Sequence, residues 1–512
     1  MPIGIQTFED IITDGYVYVD KTEWVYRLAN EGRYFFLGRP RRFGKSLLLS
    51  TLKAYFEGKK ELFRGLAAEG LEQEWPSYPV LHLDLNVASY RNVDDLALGL
   101  DANLRRFEEK WDIDPQDAFA PTRFYQLIQR VYEKSGRKVV VLVDEYDRPL
   151  LQTMENGGLQ DEMRQALKGF YGVLKSADQW LRFVLLTGVT KFSKISVFSD
   201  LNMLRDISME KAYAGVCGIS ARELEACFEP ELRALAESNG KTYEEAVAEM
   251  KKRYDGYCFT KQGERIFNPF SVLNTLAKQE FAYYWFETGT PTFLIEQMKR
   301  DRFDLLRFAE GVKISAEDID DYRADGGNPV PLLYQSGYLT IGGYANNRYT
   351  LGFPNEEVRY GFLKELLPYY TYRPPGQAFF ADDFVDDLRA GNVDGFMGRM
   401  KAFFANIPYE LNDKTERHYQ VIFYLVFALM GQYARAEVHS AKGRSDAVVE
   451  TAEAVYVFEI KLNGTAEEAL RQAKGRGYAA PYGADARKVV QVGVEFDKGE
   501  RNISRWLVEA TK

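Results

Sequence analysis

The stretch YFFLGRPRRFGKSLLLSTLKAYF, residues 34 to 56, constrains the fold of this chain more than any other part of it. It reads as an apolar strand, a tight basic loop containing glycine, and a helix opened by Lys45 and Ser46. A helix start presents unpaired backbone N–H groups and the positive end of the helix dipole, so Gly-Lys-Ser at that point is a site for phosphate. Lys45 would reach the β- and γ-phosphates of a nucleotide, and the Ser46 hydroxyl would hold Mg2+. Arg41, Arg42, Phe43 and Gly44 would complete the loop around the phosphates. The full Gly-x4-Gly-Lys-Ser pattern wants glycine where Arg39 stands, with Gly38 one residue earlier. The same residues also suit a plain strand-to-helix turn with solvated arginines, so the decision falls to the rest of the chain.

Residues 137 to 149, RKVVVLVDEYDRP, run through the aliphatic segment Val139 to Val143 into Asp144 and Glu145. In an ATPase with a phosphate loop, the first acid at such a strand tip helps hold Mg2+ and the second polarises the attacking water. A buried strand ending in two solvated acids has the same sequence, but its position downstream of Gly-Lys-Ser favours the paired site. Asp147 and Arg148, just beyond, read as ion-pair partners, with nucleotide contacts as the alternative. Residues 180 to 192, WLRFVLLTGVTKF, form another buried strand whose tip carries Thr187, placed to sense the γ-phosphate. Thr190 is a second candidate, and helix capping is the alternative for either threonine. RYFFLG, PVLHLDLN (79 to 86) and YAGVCGI (213 to 219) supply the remaining strands. Continuous apolar strands alternating with helices over 92 to 110 and 122 to 134 predict a doubly wound parallel sheet, with nucleotide at the strands' C-terminal edge.

Taken in order, FLGRPRRFGKSLLLSTLKAYFEGKKELF, VLVDEYD, TGVTKFSKISVFSDLNMLRDIS, YDGYCF, NPFSVL and TGTP resemble the bacterial AAA-ATPase-like proteins whose C-terminal part is a PD-(D/E)XK nuclease-superfamily domain. The resemblance covers nearly the whole chain. It implies that Arg39 belongs to this family's own form of the loop and that ATP is the nucleotide. It also implies a lid formed by SARELEACFEPELRALAESNG and YEEAVAEMKKRYDGY, where Ser220 and Glu223 are set as a capping box. The expected fold class is α/β, with a P-loop (ASCE/AAA-like) parallel sheet and helical lid over 1–285, a small mixed connector over 286–380, and an α/β PD-(D/E)XK nuclease-like domain over 381–512. Within the connector, GGYANNR is a hairpin signal, and a linker between domains is favoured over a winged-helix DNA contact.

The second chemical site lies in GRSDAVVETAEAVYVFEIKLNGTAEEALRQAKGRGY, residues 443 to 478. SDAVVET and VYVFEIK read as two strands joined by a turn near Ala452 and Glu453, and a simple antiparallel register sets Asp446 opposite Glu459. Opposed residues share a face, about 4.5 to 5.5 Å apart at Cα, and alternation puts Lys461 on that face as well. A slip of one residue would disperse the cluster. Two carboxylates beside a lysine are the equipment for metal-assisted phosphodiester hydrolysis, with Mg2+ or Mn2+ as the hard cation. Gln472, on the following helix, would hydrogen-bond the attacking water or a ligand, and Glu416 would complete the metal shell. An ordinary hairpin with a cross-strand ion pair is the alternative, opposed by the apolar neighbours of Glu459 and Lys461 in FEIKL. The D-x12-E-I-K spacing, hairpin and helix together resemble the PD-(D/E)XK pattern.

Bulk properties exclude several classes. No apolar run is long enough to span a bilayer, and MPIGIQTFEDIITDG lacks a signal peptide's basic start and apolar core, so a cytoplasmic protein is expected. Three cysteines and three histidines, scattered, give neither a disulfide framework, a zinc site nor a histidine triad. A net charge of -9 argues against a general nucleic-acid coat while leaving room for a local basic groove. The expected function is therefore an ATP-binding, metal-dependent nuclease whose AAA-like domain controls a C-terminal hydrolytic site, acting on nucleic acid with DNA favoured. The alternatives are a nucleotide-gated nucleic-acid-binding switch without cleavage, and an ATPase scaffold that assembles into homo-oligomers.

Overall fold

Five strands pair in parallel at the centre of the N-terminal region: β1 (Tyr34–Gly38), β2 (Val80–Asp84), β3 (Val139–Asp144), β4 (Leu181–Gly188) and β5 (Arg205–Asp206), in the order β2-β3-β4-β1-β5. The computed structural model describes residues 1–191, 201–285, 294–295, 298, 303, 305–319, 328–371, 381–407, 416–431, 435–441, 444–462, 464–475, 480–482, 486–497 and 499–510. Every residue of β3 is buried, which requires helices on both faces of the sheet. The helices Val93–Trp111, Ala120–Ser135 and Gly157–Ser176 pack on one another as one group, and Phe8–Thr13, Thr22–Glu31 and Lys45–Phe56 as another. Strand β4 lies between β1 and β3, so the phosphate loop and the acidic strand tip are one strand apart at the same sheet edge.

The expected strand over 213 to 219 does not form. The fifth strand is instead β5, a two-residue edge strand that contains Arg205 and Asp206, and charge is tolerated on a short edge. Glycine breaks the apolar run at Gly215 and Gly218: Gly218 takes φ +88°, and a Cβ on Gly215 would lie 3.1 Å from the Trp24 ring. Only β6 (Ile219–Ser220) is extended, paired with β7 (Ile266–Phe267).

Beyond β6 the helices Ala221–Cys227, Glu229–Ser238, Tyr243–Tyr254 and Pro269–Lys278 share a core that includes Leu224, Phe228, Leu235, Met250 and Val272. Ser220 and Glu223 form the expected capping box, and Thr242 and Glu245 form another. A small sheet, β8 (Val312–Ser315), β9 (Thr340–Ala345) and β10 (Arg348–Gly352), has the order β8-β10-β9. Its β9–β10 hairpin turns on Asn346 and Asn347 at φ 50° and 58°, the left-handed pair of a type I′ turn.

The chain divides into two units. One contains Met1–Phe303 and Val312–Glu357, the other Asp304–Gly311 and Val358–Lys512. The second is built on a mixed sheet of β11 (Arg435–Ala441), β12 (Arg444–Glu450), β13 (Ala454–Lys461), β14 (Lys488–Asp497) and β15 (Asn502–Ala510) in sequential order. Only β13 and β14 run parallel, joined through the helix Ala466–Gly475. No helix among the described residues is long and apolar enough to cross a membrane. The three cysteines are free.

Candidate functional site

Strand β1 ends at Gly38, and Arg39 continues its pairing by donating its backbone N–H to Gly188 O at 3.1 Å. The Arg39 side chain is buried and donates to the carbonyls of Gly38, Ser208 and Tyr213 at 2.9, 2.7 and 3.1 Å, with its guanidinium 4.1 Å from the Phe259 ring centroid. It lines a small cavity behind the loop, not the cleft in front of it, which explains why no glycine is needed at this position. The loop turns through two left-handed residues, Arg42 at φ 66° and Gly44 at φ 91°. Between them Phe43 is buried, edge-on to Tyr257 and Phe259.

Lys45 is also buried, and its ammonium donates to Arg39 O at 2.9 Å and Pro40 O at 3.0 Å. Burial pushes it below the ordinary lysine value, opposed by the negative charge of Asp144, Glu145 and Asp147. No side chain caps the helix Lys45–Phe56, which leaves first-turn N–H groups for an anion. Arg41, Arg42, Phe43, Gly44, Lys45 and Ser46 line a cleft of about 330 Å3 together with Asn86, Glu145 and Arg148. An apolar recess of about 90 Å3 shares Ile11, Phe43, Gly44 and Leu47 with that cleft and is lined further by Tyr18 and Phe228. These last walls carry no sequence motif, and only the fold identifies them.

At the tip of β3, Asp144 is buried and its Oδ1 accepts from the Thr187 hydroxyl at 2.7 Å and from Glu145 N at 3.0 Å. Glu145 sits at φ 49° and pairs with Arg148 at 3.2 Å. The ion pair expected for Asp147 is not what forms. Asp147 is wholly buried, and its Oδ2 accepts from Val189 N, Thr190 N and the Thr190 hydroxyl at 3.0, 2.6 and 2.7 Å. Burial pushes its carboxyl up, and the Thr190 hydrogen bonds pull it down. Tyr146 adds two more links across the same strand tips, N–H to Thr187 O and hydroxyl to Thr190 O. Asp144, Tyr146 and Asp147 thus clamp the end of β4, and both threonine hydroxyls are committed to carboxylates.

In the second unit, β12 and β13 pair in the expected register, with Asp446 opposite Glu459 and Arg444 opposite Lys461. The side chains of Asp446 and Glu416 lie outside the described residues; the latter opens the helix Glu416–Met430. Glu459 is fully buried, and Lys461 is half-buried on the same face. On β14, Gly493 is level with Glu459 and Glu495 with Lys461. The covering helix sits directly against this row, since a Cβ on Gly493 would lie 2.4 Å from Ala466 O, and Ala466 N donates to Glu495 Oε2 at 3.2 Å. Gln472 is half-buried on that helix and is not hydrogen-bonded to Glu459 or Lys461 among the described residues. No group of three or more His, Cys, Asp or Glu among the described residues is arranged to hold a metal.

The chain is similar to known proteins in both regions. The family described as "Predicted AAA-ATPase" matches residues 2–198, and the "PD-(D/E)XK nuclease superfamily" matches residues 414–506. An uncharacterized protein from the vnfD 5′ region of Azotobacter chroococcum is 36% identical, covering 100% of this chain and 99% of its own length. Among solved structures, the ORC2 protein of Aeropyrum pernix in ADPNP–ADP complexes aligns at 12% identity and a TM-score of 0.24, over 65% of this chain and 87% of that one.

Proposed function

The chain belongs to a family that joins a predicted AAA-ATPase domain to a PD-(D/E)XK nuclease-superfamily domain, and on that premise we propose that it is an ATP-binding, metal-dependent nuclease in which nucleotide controls phosphodiester hydrolysis. The observation that supports the hydrolytic half most directly is the register of Asp446 opposite Glu459, with Lys461 two residues along on the same face.

At the nucleotide site the fit rests on a buried ammonium held by two loop carbonyls and an uncapped helix start. Lys45 exchanges those carbonyls for β- and γ-phosphate oxygens, while the backbone from Arg41 to Gly44 wraps the phosphates. Ser46 and Asp144 would hold Mg2+ there, and Asp446 and Glu459 would hold Mg2+ or Mn2+ at the second site, oxygen donors of the kind these cations take. The bound cations supply charge neutralisation at phosphate oxygens and an acidified water. Glu145 orients the water that attacks the γ-phosphate. Thr187 keeps Asp144 aligned through their hydrogen bond. In the second unit Lys461 orients the attacking water, and Gln472 hydrogen-bonds it. The substrate is nucleic acid, with DNA favoured.

The test is cleavage of labelled single- and double-stranded DNA and RNA by the full chain, with Mg2+ or Mn2+, with and without ATP. Asp446→Ala is expected to abolish cleavage, and Lys461→Ala to reduce it by about a hundredfold or more, both with unchanged thermal midpoints. Retained cleavage in Asp446→Ala would move the hydrolytic site elsewhere. Absence of cleavage under every condition would leave a nucleotide-gated binding protein.

A further inference from the structure

Arg148 opens the short helix Arg148–Gln152 immediately after the acidic strand tip. The turn that leads to it is strained: Glu145 takes φ 49°, a region that residues with a side chain occupy only when their surroundings impose it. Two hydrogen bonds impose it here, Glu145 N to Asp144 Oδ1 and Arg148 N to Glu145 O, both at 3.0 Å. The result is that Glu145 and Arg148 both face the cleft lined by Lys45 and Ser46.

Among the described residues the Arg148 guanidinium makes one side-chain hydrogen bond, from Nη1 to Glu145 Oε2 at 3.2 Å. Its Nε is buried and has no acceptor among the described residues. A guanidinium carries five N–H donors in a rigid fork that matches two oxygens of one phosphate. One long contact to one carboxylate oxygen uses little of that capacity. The same contact ties up the carboxylate that the proposed hydrolysis needs free.

We infer that Arg148 is a two-position residue. Without a nucleoside triphosphate it holds the Glu145 carboxylate, and with one bound its guanidinium turns onto the terminal phosphate and releases Glu145 to the attacking water. A phosphoryl group offers more charge and two oxygens in place of one, so the exchange favours phosphate. A diphosphate lacks the terminal group and leaves the Arg148–Glu145 pair intact. The pair therefore distinguishes triphosphate from diphosphate from within the same chain. This inference rests on the nucleotide reading proposed above.

The experiment measures binding of adenylyl imidodiphosphate and of ADP, each with Mg2+, to the full chain by calorimetry. Arg148→Gln is expected to weaken the triphosphate analogue about tenfold, the loss of one charge-assisted contact, and ADP by less than about twofold. Glu145→Gln removes the competing charge and should tighten the analogue about threefold, the worth of a partly exposed ion pair. That gain should vanish in the double variant. Arg148→Lys, which keeps the charge without the fork, should lie between wild type and Arg148→Gln, and it carries the same comparison if the glutamine variant does not fold. Equal losses for both ligands, or none for either, would overturn the inference. Lys45→Ala separates the two levels: if it abolishes binding of both ligands while Arg148→Gln leaves their ratio unchanged, only the role of Arg148 falls. If neither ligand binds wild type, the nucleotide reading falls with it.

Discussion

Glu357 shows how one buried side chain can set a pH response. Its carboxylate accepts from the Ser271 hydroxyl at 2.7 Å and from Trp285 N at 2.9 Å. Burial nevertheless pushes it from 4.5 up to about 7, because those hydrogen bonds do not replace the lost hydration. A carboxyl whose folded value lies above its unfolded one binds its proton more tightly in the folded chain. Its contribution is therefore complete below pH 4.5 and is lost as pH rises through 7. The loss amounts to about 3 kcal/mol. Glu357→Gln cannot titrate, so the fall in urea midpoint between pH 4.5 and 7 should flatten. A slope equal to that of wild type would assign it to another group. Sequence alone was silent on Glu357, since nothing in NEEVRY marks the second glutamate as buried. Asp147 was misread for a related reason: DEYDRP places an arginine beside it, but the chain's path delivers the backbone of Val189 and Thr190 to its carboxylate first.

At the scale of elements, the helix Ala466–Gly475 and strand β14 meet where there is no room for a side chain. A Cβ on Gly493 would lie 2.4 Å from Ala466 O and 2.6 Å from Leu470 N, and backbone atoms cannot rotate away. Gly493→Ala should therefore lift the helix and cost about 1 to 3 kcal/mol, read as a lower denaturation midpoint of the second unit. An unchanged midpoint would mean that the helix is not seated on Gly493. In the sheet of this unit β12 and β13 were legible from their apolar patterns, and their register followed from the turn between them, whereas the edge strands β11 and β15 were not read from the sequence. The strand expected over 213 to 219 does not form because Gly215 and Gly218 interrupt its apolar run. Its replacement, Arg205–Asp206, has no apolar pattern to read; it extends because β1 offers it an edge.

For the whole molecule, the division into units does not follow the order of the chain. Residues 304 to 311 belong with the C-terminal unit, although 312 to 357 return to the first. Phe308 is buried and packs edge-on against Phe362 at 5.9 Å. Phe308→Ala should cost the second unit about 3 to 5 kcal/mol. Nucleotide at a hundred times its Kd should stabilise the first by about 2.7 kcal/mol. In scanning calorimetry the two changes should appear in different transitions. If they fall in the same one, Phe308 does not act on the second unit alone. The excursion of 304 to 311 leaves no local signal, because membership of a unit is a matter of long-range packing.

The sequence by itself determined the strand, loop and helix of residues 34 to 56, the buried strand that ends at Asp144 and the Asp446–Glu459 register, because each depends on short-range rules: helix starts, strand alternation and turn length. Only the tertiary structure decided that Arg39 turns behind the loop, that Asp147 clamps β4, and which walls line the cleft. Those outcomes depend on which distant backbone groups arrive beside a side chain. Burial and hydrogen bonding then set what that side chain can do.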